Sequence, residues 1–292
     1  MREGDVLDFY FVNHNGKKVD FSDFPYIFQE GDLLDWVYTY QTTEMNGKNL
    51  TSNYRKNAKE FSVKLAVVPD IFLPLKERWN AWKEAVDELV DTFEVDVTEQ
   101  RDGKLWTDSG FYLACKIVGS SKSNWKMGVP VMFNNLTVLA DNPVWIKEES
   151  KTFMPQDGTS VSGDYLDYPY DYAYDYTGEV KGSAKWLIDH FGSSQFNMKI
   201  FGYVNTPKIT INGHLYQVNV TINDGDYLEI DSRDNSIILH RDGGIKENMY
   251  YMRYLPSNVF EPIPSGLLEI ETSGTFLYNI TLFLERSEPR WS

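Results

Sequence analysis

The chain has 292 residues, of which 42% are hydrophobic and 15% aromatic, enough to form the core of one large domain or two ordinary ones. Its formal net charge of −15 argues against a nucleic-acid-binding protein, because binding phosphates requires a clustered surface of lysine and arginine. The single cysteine, Cys115, lies in the apolar stretch FYLACKIVG, so we expect no internal disulfide and a buried, unreactive thiol. The chain has no apolar run of about 18 residues and no signal-peptide pattern at its N-terminus, which favours synthesis in a bacterial cytoplasm.

The first 72 residues predict strands and turns. VLDFYFVNHNGKKVDFS consists of two β-type runs around the turn Asn13-His14-Asn15-Gly16, a hairpin pattern. A helix is predicted over about residues 74–93, with Pro74 suited to its first turn. Its apolar face comprises Leu75, Trp79, Trp82, Val86, Leu89, Val90 and Phe93. Aromatic residues at helical spacing usually belong to a core, so we interpret Trp79 and Trp82 as core residues, with a ligand-binding box as the alternative.

Two further strand regions, GKLWTDSGFYLACKIVGSS and VPVMFNNLTVLADNPVWI, close the N-terminal half, and we expect Trp145 to pack against the sheet. The following stretch KEESKTFMPQDGTSVSGD is polar and has no period, which predicts a linker or surface loop. We therefore divide the chain into an N-terminal β-rich α+β domain (residues 1–150), a linker (residues 151–163) and a C-terminal domain (residues 164–292).

The C-terminal domain is predicted to be an antiparallel β-sandwich. Short strand-like runs recur in FNMKIFGYV, KITINGHLYQVNVTIN, DYLEIDSRDNSIILHR, GLLEIETSG and FLYNITLFLERSE, separated by Asn-Gly, Asp-Gly, Gly-Gly and Ser-Gly turns. The overall fold class is therefore mainly β, with one long helix.

The segment DYLDYPYDYAYDYTG, residues 164–178, alternates aspartate with tyrosine. This period of two predicts an extended segment with aromatic rings on one face and carboxylates on the other, and Pro169 favours an edge position. We expect Tyr168, Tyr170, Tyr172 and Tyr174 to pack inward. Stacking of these rings on a sugar is the alternative interpretation.

No catalytic, cofactor-binding or metal-binding residue is predicted. The four histidines (His14, His190, His214 and His240) lie far apart in sequence and lack metal-ligand spacing, and there is no GxSxG, P-loop or GxGxxG pattern. The acidic turn residues Asp224, Asp226, Asp231 and Asp234 lack calcium-loop spacing, so we interpret them as hairpin-turn and surface residues.

The C-terminal third resembles a known family. In order, it contains NTPKITING, the hairpin YLEIDS, a turn with Asp-Gly, the corner VFEPIPSG and the close ERSEPRW. These elements closely resemble the C-terminal domain of siphophage distal tail proteins, the Dit family. DYPYDYAYDY and LTVLADNPVWI are similar to the segment that leads into that domain and to the close of the first domain in this family, so the resemblance covers essentially the whole chain.

The resemblance implies a non-enzymatic virion protein. It implies that the first domain forms a hexameric ring around the DNA channel, that a galectin-like sandwich faces outward, and that the ring joins the tail tube to the tail tip or baseplate. The implied partners are other copies of the chain, the tail tube protein, a tail-associated lysin or tail-tip protein, and receptor-binding or baseplate proteins. Two rival classes stay open: a carbohydrate-binding module and a glycan-cleaving enzyme.

Overall fold

The computed structural model describes residues 7–69, 72–123, 126, 128–155 and 182–291. The chain forms two compact units, Met1–Lys147 with Glu285–Ser292, and Glu148–Leu284. Both are built mainly from antiparallel strands, which confirms the predicted β-rich α+β class. The tyrosine-rich segment 164–178 lies outside the described residues, so its inward packing stays a prediction. None of the helices in the described ranges is both long and apolar enough to cross a membrane.

The first unit contains one antiparallel sheet in the order β2-β1-β7-β8-β9-β6-β3 and a separate hairpin, β4-β5. Its elements are β1 (Phe9–Val12), β2 (Lys18–Asp20), β3 (Tyr26–Gly31), β4 (Thr39–Met45), β5 (Lys48–Arg55), β6 (Lys59–Val67), α1 (Leu75–Thr98), β7 (Gly103–Thr107), β8 (Tyr112–Ser123), β9 (Met132–Ala140) and the start of β10 (Trp145–Phe153). The predicted hairpin at Asn13–Gly16 is confirmed, because Val12 pairs with Lys18 and Gly16 adopts a φ of 85°.

Helix α1 covers the core of the sheet with its apolar face. Trp82, Leu89 and Phe93 are buried in the same cluster as Phe11 and Trp145, which confirms the core assignments of Trp82 and Trp145. The ring of Trp79 lies edge-on to that of Trp82, with centroids 5.9 Å apart, and packs on the cluster from its margin.

The helix extends five residues beyond its predicted end near residue 93. The prediction stopped too early because the buried face, which already includes the polar Thr92, continues beyond Phe93 at another polar residue, Asp96. The hydroxyl of Thr92 donates to the carbonyl of Glu88, 2.6 Å away, within the helix. Asp96 accepts hydrogen bonds from outside the helix. A polar side chain with such a partner can occupy a buried position that hydrophobic periodicity does not detect.

The predicted linker also begins too early in the sequence. Residues 151–153, assigned to the linker, are the end of β10. The hydroxyls of Ser150 and Thr281 lie 2.7 Å apart, the amide of Asn279 donates to the Thr152 hydroxyl, and the ring of Phe153 stacks on that of Tyr278. Only the two ends of this strand, Trp145 and Phe153, are buried, so its middle lacks the apolar alternation that marks a half-buried strand.

The second unit consists of two facing antiparallel sheets, in the orders β19-β18-β17-β12-β21 and β11-β20-β14-β15, with the short pair β13-β16. Its strands are β11 (Ser183–Ile188), β12 (Gln195–Phe201), β13 (Val204–Asn205), β14 (Lys208–Ile211), β15 (His214–Gln217), β16 (Thr221–Ile222), β17 (Tyr227–Asp231), β18 (Ser236–His240), β19 (Lys246–Asn248), β20 (Gly266–Glu271) and β21 (Leu277–Arg286), with a 3₁₀ turn at Tyr250–Met252. Alternate residues of both sheets form one buried cluster, including Ile209, Ile211, Met198, Ile230 and Leu268. The unit is therefore a β-sandwich.

Candidate interaction surface

The hairpin β4-β5 pairs with no other strand in the part of the chain that the structure describes. Its strands are joined by Asn46 and Gly47, which adopt φ values of 55° and 71°, as a two-residue hairpin turn with φ > 0 at both positions requires. Every residue of β4 is exposed, and in β5 only Ser52 is partly covered. Both strands therefore present a free backbone edge, a surface on which another strand can pair.

The hairpin and the segment before it expose an unusual amount of apolar surface. The large exposed side chains of residues 36–54 are Trp36, Val37, Tyr38, Tyr40, Met45, Leu50 and Tyr54. Tyr40 and Leu50 are 59% and 62% exposed, and the rings of Tyr40 and Tyr54 contact each other with centroids 5.8 Å apart. Several large exposed apolar side chains within one short segment typically mark an interaction site.

Two lysines fix the base of the hairpin to the first unit. The Lys56 ammonium donates to the carbonyl of Pro143 at 3.2 Å and lies 5.3 Å from the centroid of the Tyr38 ring. The Lys59 ammonium donates to the carbonyl of Asp35 at 2.7 Å. Burial lowers the pKa of the Lys56 amino group from its ordinary value. The base is thus anchored, while the strands beyond it have no covering layer in the described residues.

The hairpin is nearly neutral in an acidic chain. Residues 39–55 include one acidic residue, Glu44, and two basic ones, Lys48 and Arg55, whereas the whole chain has a net charge of −15. Electrostatic repulsion between copies of the chain is therefore small at this surface.

The sequence contains a signal for this hairpin, although the hairpin was not predicted. Asn46-Gly47 is a dipeptide that favours a two-residue hairpin turn, and it lies between the runs TYQTTEM and KNLTSNYR. The runs lack the apolar alternation of a half-buried strand because neither face of the hairpin is buried.

His14, predicted only as a turn residue, joins the β1-β2 turn to the C-terminal end of α1. Its backbone N–H donates to Oδ1 of Asp96 at 3.0 Å, its ring Nδ1 lies 2.5 Å from the same oxygen, and its Nε2 lies 2.9 Å from Oε2 of Glu99. The hydrogen bond to Asp96 raises the pKa of His14, since it favours the charged imidazole. Asp96 is fully buried and lies against Gly103, where any Cβ would overlap its carboxylate. The contacts tie two elements together, which is a structural role.

The other histidines do not assemble into a site. The ring of His190 contacts Phe191, Nε2 of His214 lies 2.8 Å from the carbonyl oxygen of Asn258, and Nε2 of His240 lies 2.8 Å from Oε2 of Glu229. Within the described residues, no three His, Cys, Asp or Glu side chains form a group that could hold a metal ion.

The acidic turn residues of the second unit are engaged by protein groups. Asp226 accepts from the backbone N–H of Asp242 and from the guanidinium of Arg241, and these contacts lower its pKa. Asp231 accepts from Arg233, and Asp224 accepts from a backbone N–H. These contacts fit the interpretation of the segment as hairpin turns.

Cys115 is fully buried, and burial raises the pKa of its thiol. A buried thiol of raised pKa yields little thiolate, the reactive form of cysteine. The expectation of a buried thiol is confirmed.

No protein-family profile and no curated protein sequence matches the chain. Solved structures do match it. The Dit protein of phage SPP1, described as a paradigm of the hub adsorption apparatus in phages that infect Gram-positive bacteria, matches with a TM-score of 0.59 and 10% identity, over 96% of this chain and 99% of that chain. Two structures of the phage p2 baseplate in its activated conformation match at 14% identity, over 97% of this chain and 99% of that chain. Their TM-scores are 0.60 with Sr and 0.58 with Ca.

These comparisons establish the fold. Along nearly its whole length, the chain folds like the phage Dit and baseplate hub proteins, which confirms at the level of fold the resemblance seen in the sequence.

Proposed function

We propose that the chain is a structural subunit at the distal end of a bacteriophage tail. The observation that supports this most is the fold shared with the SPP1 Dit protein over 96% of this chain and 99% of that one. The ordered C-terminal motifs, from NTPKITING to ERSEPRW, point independently to the same family. The subunit would lie at the tip of the virion tail.

We further propose that six copies form a ring that joins the tail tube to the tail-tip or baseplate proteins. The hairpin β4-β5 supports this, because its free strand edges and exposed apolar side chains would be covered by a neighbouring subunit. Both the ring and its partners (the tail tube protein, a tail-associated lysin or tail-tip protein, and receptor-binding or baseplate proteins) are parts of this proposal.

The acidic charge supports a channel through which DNA passes without binding to the protein. Six copies at −15 each carry −90 in total. Carboxylates that line a channel repel phosphates, so DNA would slide through the ring without binding to it.

The mass of the purified full-length protein in solution tests the ring. Light scattering should give about six times the 33.8 kDa of the chain for the protein alone, or that mass plus the mass of the bound tail tube protein when the two are mixed. A protein that stays monomeric in both samples, up to the highest concentration measured, would contradict the proposal.

We propose no catalytic activity. The support is the absence of nucleophile, phosphate-binding and dinucleotide-binding motifs from the sequence. Peptidoglycan and wall polysaccharide incubated with the purified protein should stay intact. Release of reducing sugars that a single carboxylate substitution abolishes would instead identify a glycan-cleaving enzyme.

A further inference from the structure

A cleft of about 510 Å³ opens on the outer face of the four-stranded sheet of the second unit. Glu271 of β20 is paired with Thr210 of β14, and Thr210 is paired with Leu215 of β15, so these three side chains form a row across the sheet. Lys208 lies two residues before Thr210 on the same face of β14. The segments 204–206 and 272–276 complete the lining. The volume lies in the range of small-molecule sites.

Several polar groups in this cleft have no protein partner among the described residues. The exposed side chains of Lys208 and Glu271 form neither an ion pair nor a hydrogen bond there, and neither does the Thr210 hydroxyl. The side-chain oxygen Oδ1 of Asn205 accepts from the hydroxyls of Thr206 and Thr221, and its side-chain NH₂ group has no protein acceptor among the described residues. The cleft therefore offers an ammonium, an amide donor, a hydroxyl and a carboxylate to a ligand.

The backbone is strained at the wall of the same cleft. Thr206 has a φ of 52°, and it is the only β-branched residue with a positive φ in the part of the chain that the structure describes. A β-branched residue in the left-handed region costs free energy, and such strain concentrates at ligand sites and other functional positions.

We propose that this cleft binds a neutral saccharide. Because the ammonium of Lys208 and the carboxylate of Glu271 lie in the same cleft, attraction of a singly charged ligand by one is offset by repulsion from the other, which favours a ligand without net charge. A ligand with neighbouring hydroxyls can bind both charged side chains. One hydroxyl donates to the carboxylate of Glu271, while another accepts from the ammonium of Lys208 and from the Asn205 amide. Lys208 and Glu271 are diagonal neighbours, about 7–8 Å apart at Cα, so one sugar ring can reach both. The half-buried Leu215 provides carbon surface for the ring, and the buried side chains of Val204 and Phe276 form the floor of the cleft.

This inference does not depend on the proposed tail role, and it uses none of the tyrosines of residues 164–178. Its site belongs to the second unit, whereas the hairpin proposed for ring formation belongs to the first. A protein that forms rings without binding sugar, or binds sugar without forming rings, would separate the two proposals.

The test measures binding of free sugars to the full-length protein. Glucose, galactose, N-acetylglucosamine, N-acetylgalactosamine, rhamnose and their common disaccharides are titrated by calorimetry and by saturation-transfer NMR. We expect at least one neutral sugar to bind, and we expect Glu271→Ala and Lys208→Ala each to weaken its affinity by about tenfold or more, as loss of a hydrogen bond to a charged group does.

The chain provides matched control variants. Glu269→Ala removes a carboxylate two residues away on the same strand, and Lys185→Ala removes its cross-strand partner, a lysine outside the cleft. Both controls should keep wild-type affinity, and melting curves should show that all four variants are folded. Three outcomes would overturn the proposal: no sugar binds, the controls lose as much affinity as the cleft variants, or amino acids and dipeptides displace the sugar from the cleft.

Discussion

Two hairpins of this protein share the same turn but differ in what covers them. β4-β5 turns at Asn46-Gly47, and β14-β15 turns at Asn212-Gly213, with positive φ at all four residues. In β14-β15, alternate residues such as Ile211 enter the sandwich core and β14 pairs with β20. In β4-β5 no side chain reaches a core and neither strand has a further partner in the described residues. The turn chemistry specifies a hairpin, and the apolar alternation decides whether it is covered within the chain.

The largest expected difference between the hairpins concerns stability. Ile211→Ala leaves a cavity in the sandwich core, where Ile211 is only 1% exposed, and should lower the free energy of unfolding by about 2–5 kcal/mol. Leu50→Ala in β5 removes an exposed side chain and should change that free energy by no more than about 0.5 kcal/mol. Urea unfolding of the two variants at low protein concentration measures both. Equal losses would mean that β4-β5 is covered in the isolated chain.

The second prediction concerns self-association. Tyr40→Ser combined with Leu50→Ser removes apolar surface that a neighbouring copy would bury, and should weaken ring formation by about tenfold or more. Leu187→Ser is the matched control, since Leu187 is exposed in the second unit. Light scattering over a dilution series measures the midpoint of dissociation. If the double variant and the control dissociate like the wild-type protein, the ring contact lies on another surface.

The third prediction compares the two turn glycines. Gly213 and Gly47 have φ values of 83° and 71°, and a Cβ at either position would meet no atom within 4 Å, so alanine costs only backbone strain. Gly213→Ala should lower the global free energy of unfolding by about 1–2 kcal/mol. Gly47→Ala should leave global unfolding unchanged and accelerate hydrogen exchange in residues 39–55, because this hairpin opens locally. A global loss for Gly47→Ala would show that the hairpin contributes to the core.

The comparison of the covered with the uncovered hairpin also explains which elements the sequence predicts. Elements that bury one face were found, including the β1-β2 hairpin, the helix and the strands of the sandwich, because burial imposes a period of 2 or 3.6. Elements whose side chains make mainly polar contacts, or are exposed on both faces, were not predicted correctly. β10 was assigned in part to a linker, the helix was ended before Asp96, and β4-β5 was not identified.

The candidate sites were less predictable than the fold. The cleft at Lys208 and Glu271 combines residues from segments some 60 positions apart, and only the pairing of β14 with β20 brings them together. The contact between His14 and Asp96 spans 82 positions. Neither carries a local sequence motif, since long-range strand pairing and helix docking create both.

The smallest expected effect concerns a third hairpin, β1-β2, which is held to α1 by the contacts of His14 with Asp96 and Glu99. Because these carboxylates raise the pKa of His14 above its unfolded value of 6.5, the charged pair contributes its full stability below about pH 6.5. That contribution is lost as pH rises through the folded-state pKa. The difference in free energy of unfolding between wild type and His14→Gln should therefore be largest near pH 6 and should shrink toward pH 9, as measured by urea unfolding at each pH. Asn15→Ala, a change in the same turn that leaves His14 in place, is the control and should keep the wild-type pH dependence. A wild-type advantage that stays constant or grows with pH would show that His14 contributes through its neutral hydrogen bonds and its backbone N–H rather than through its charge.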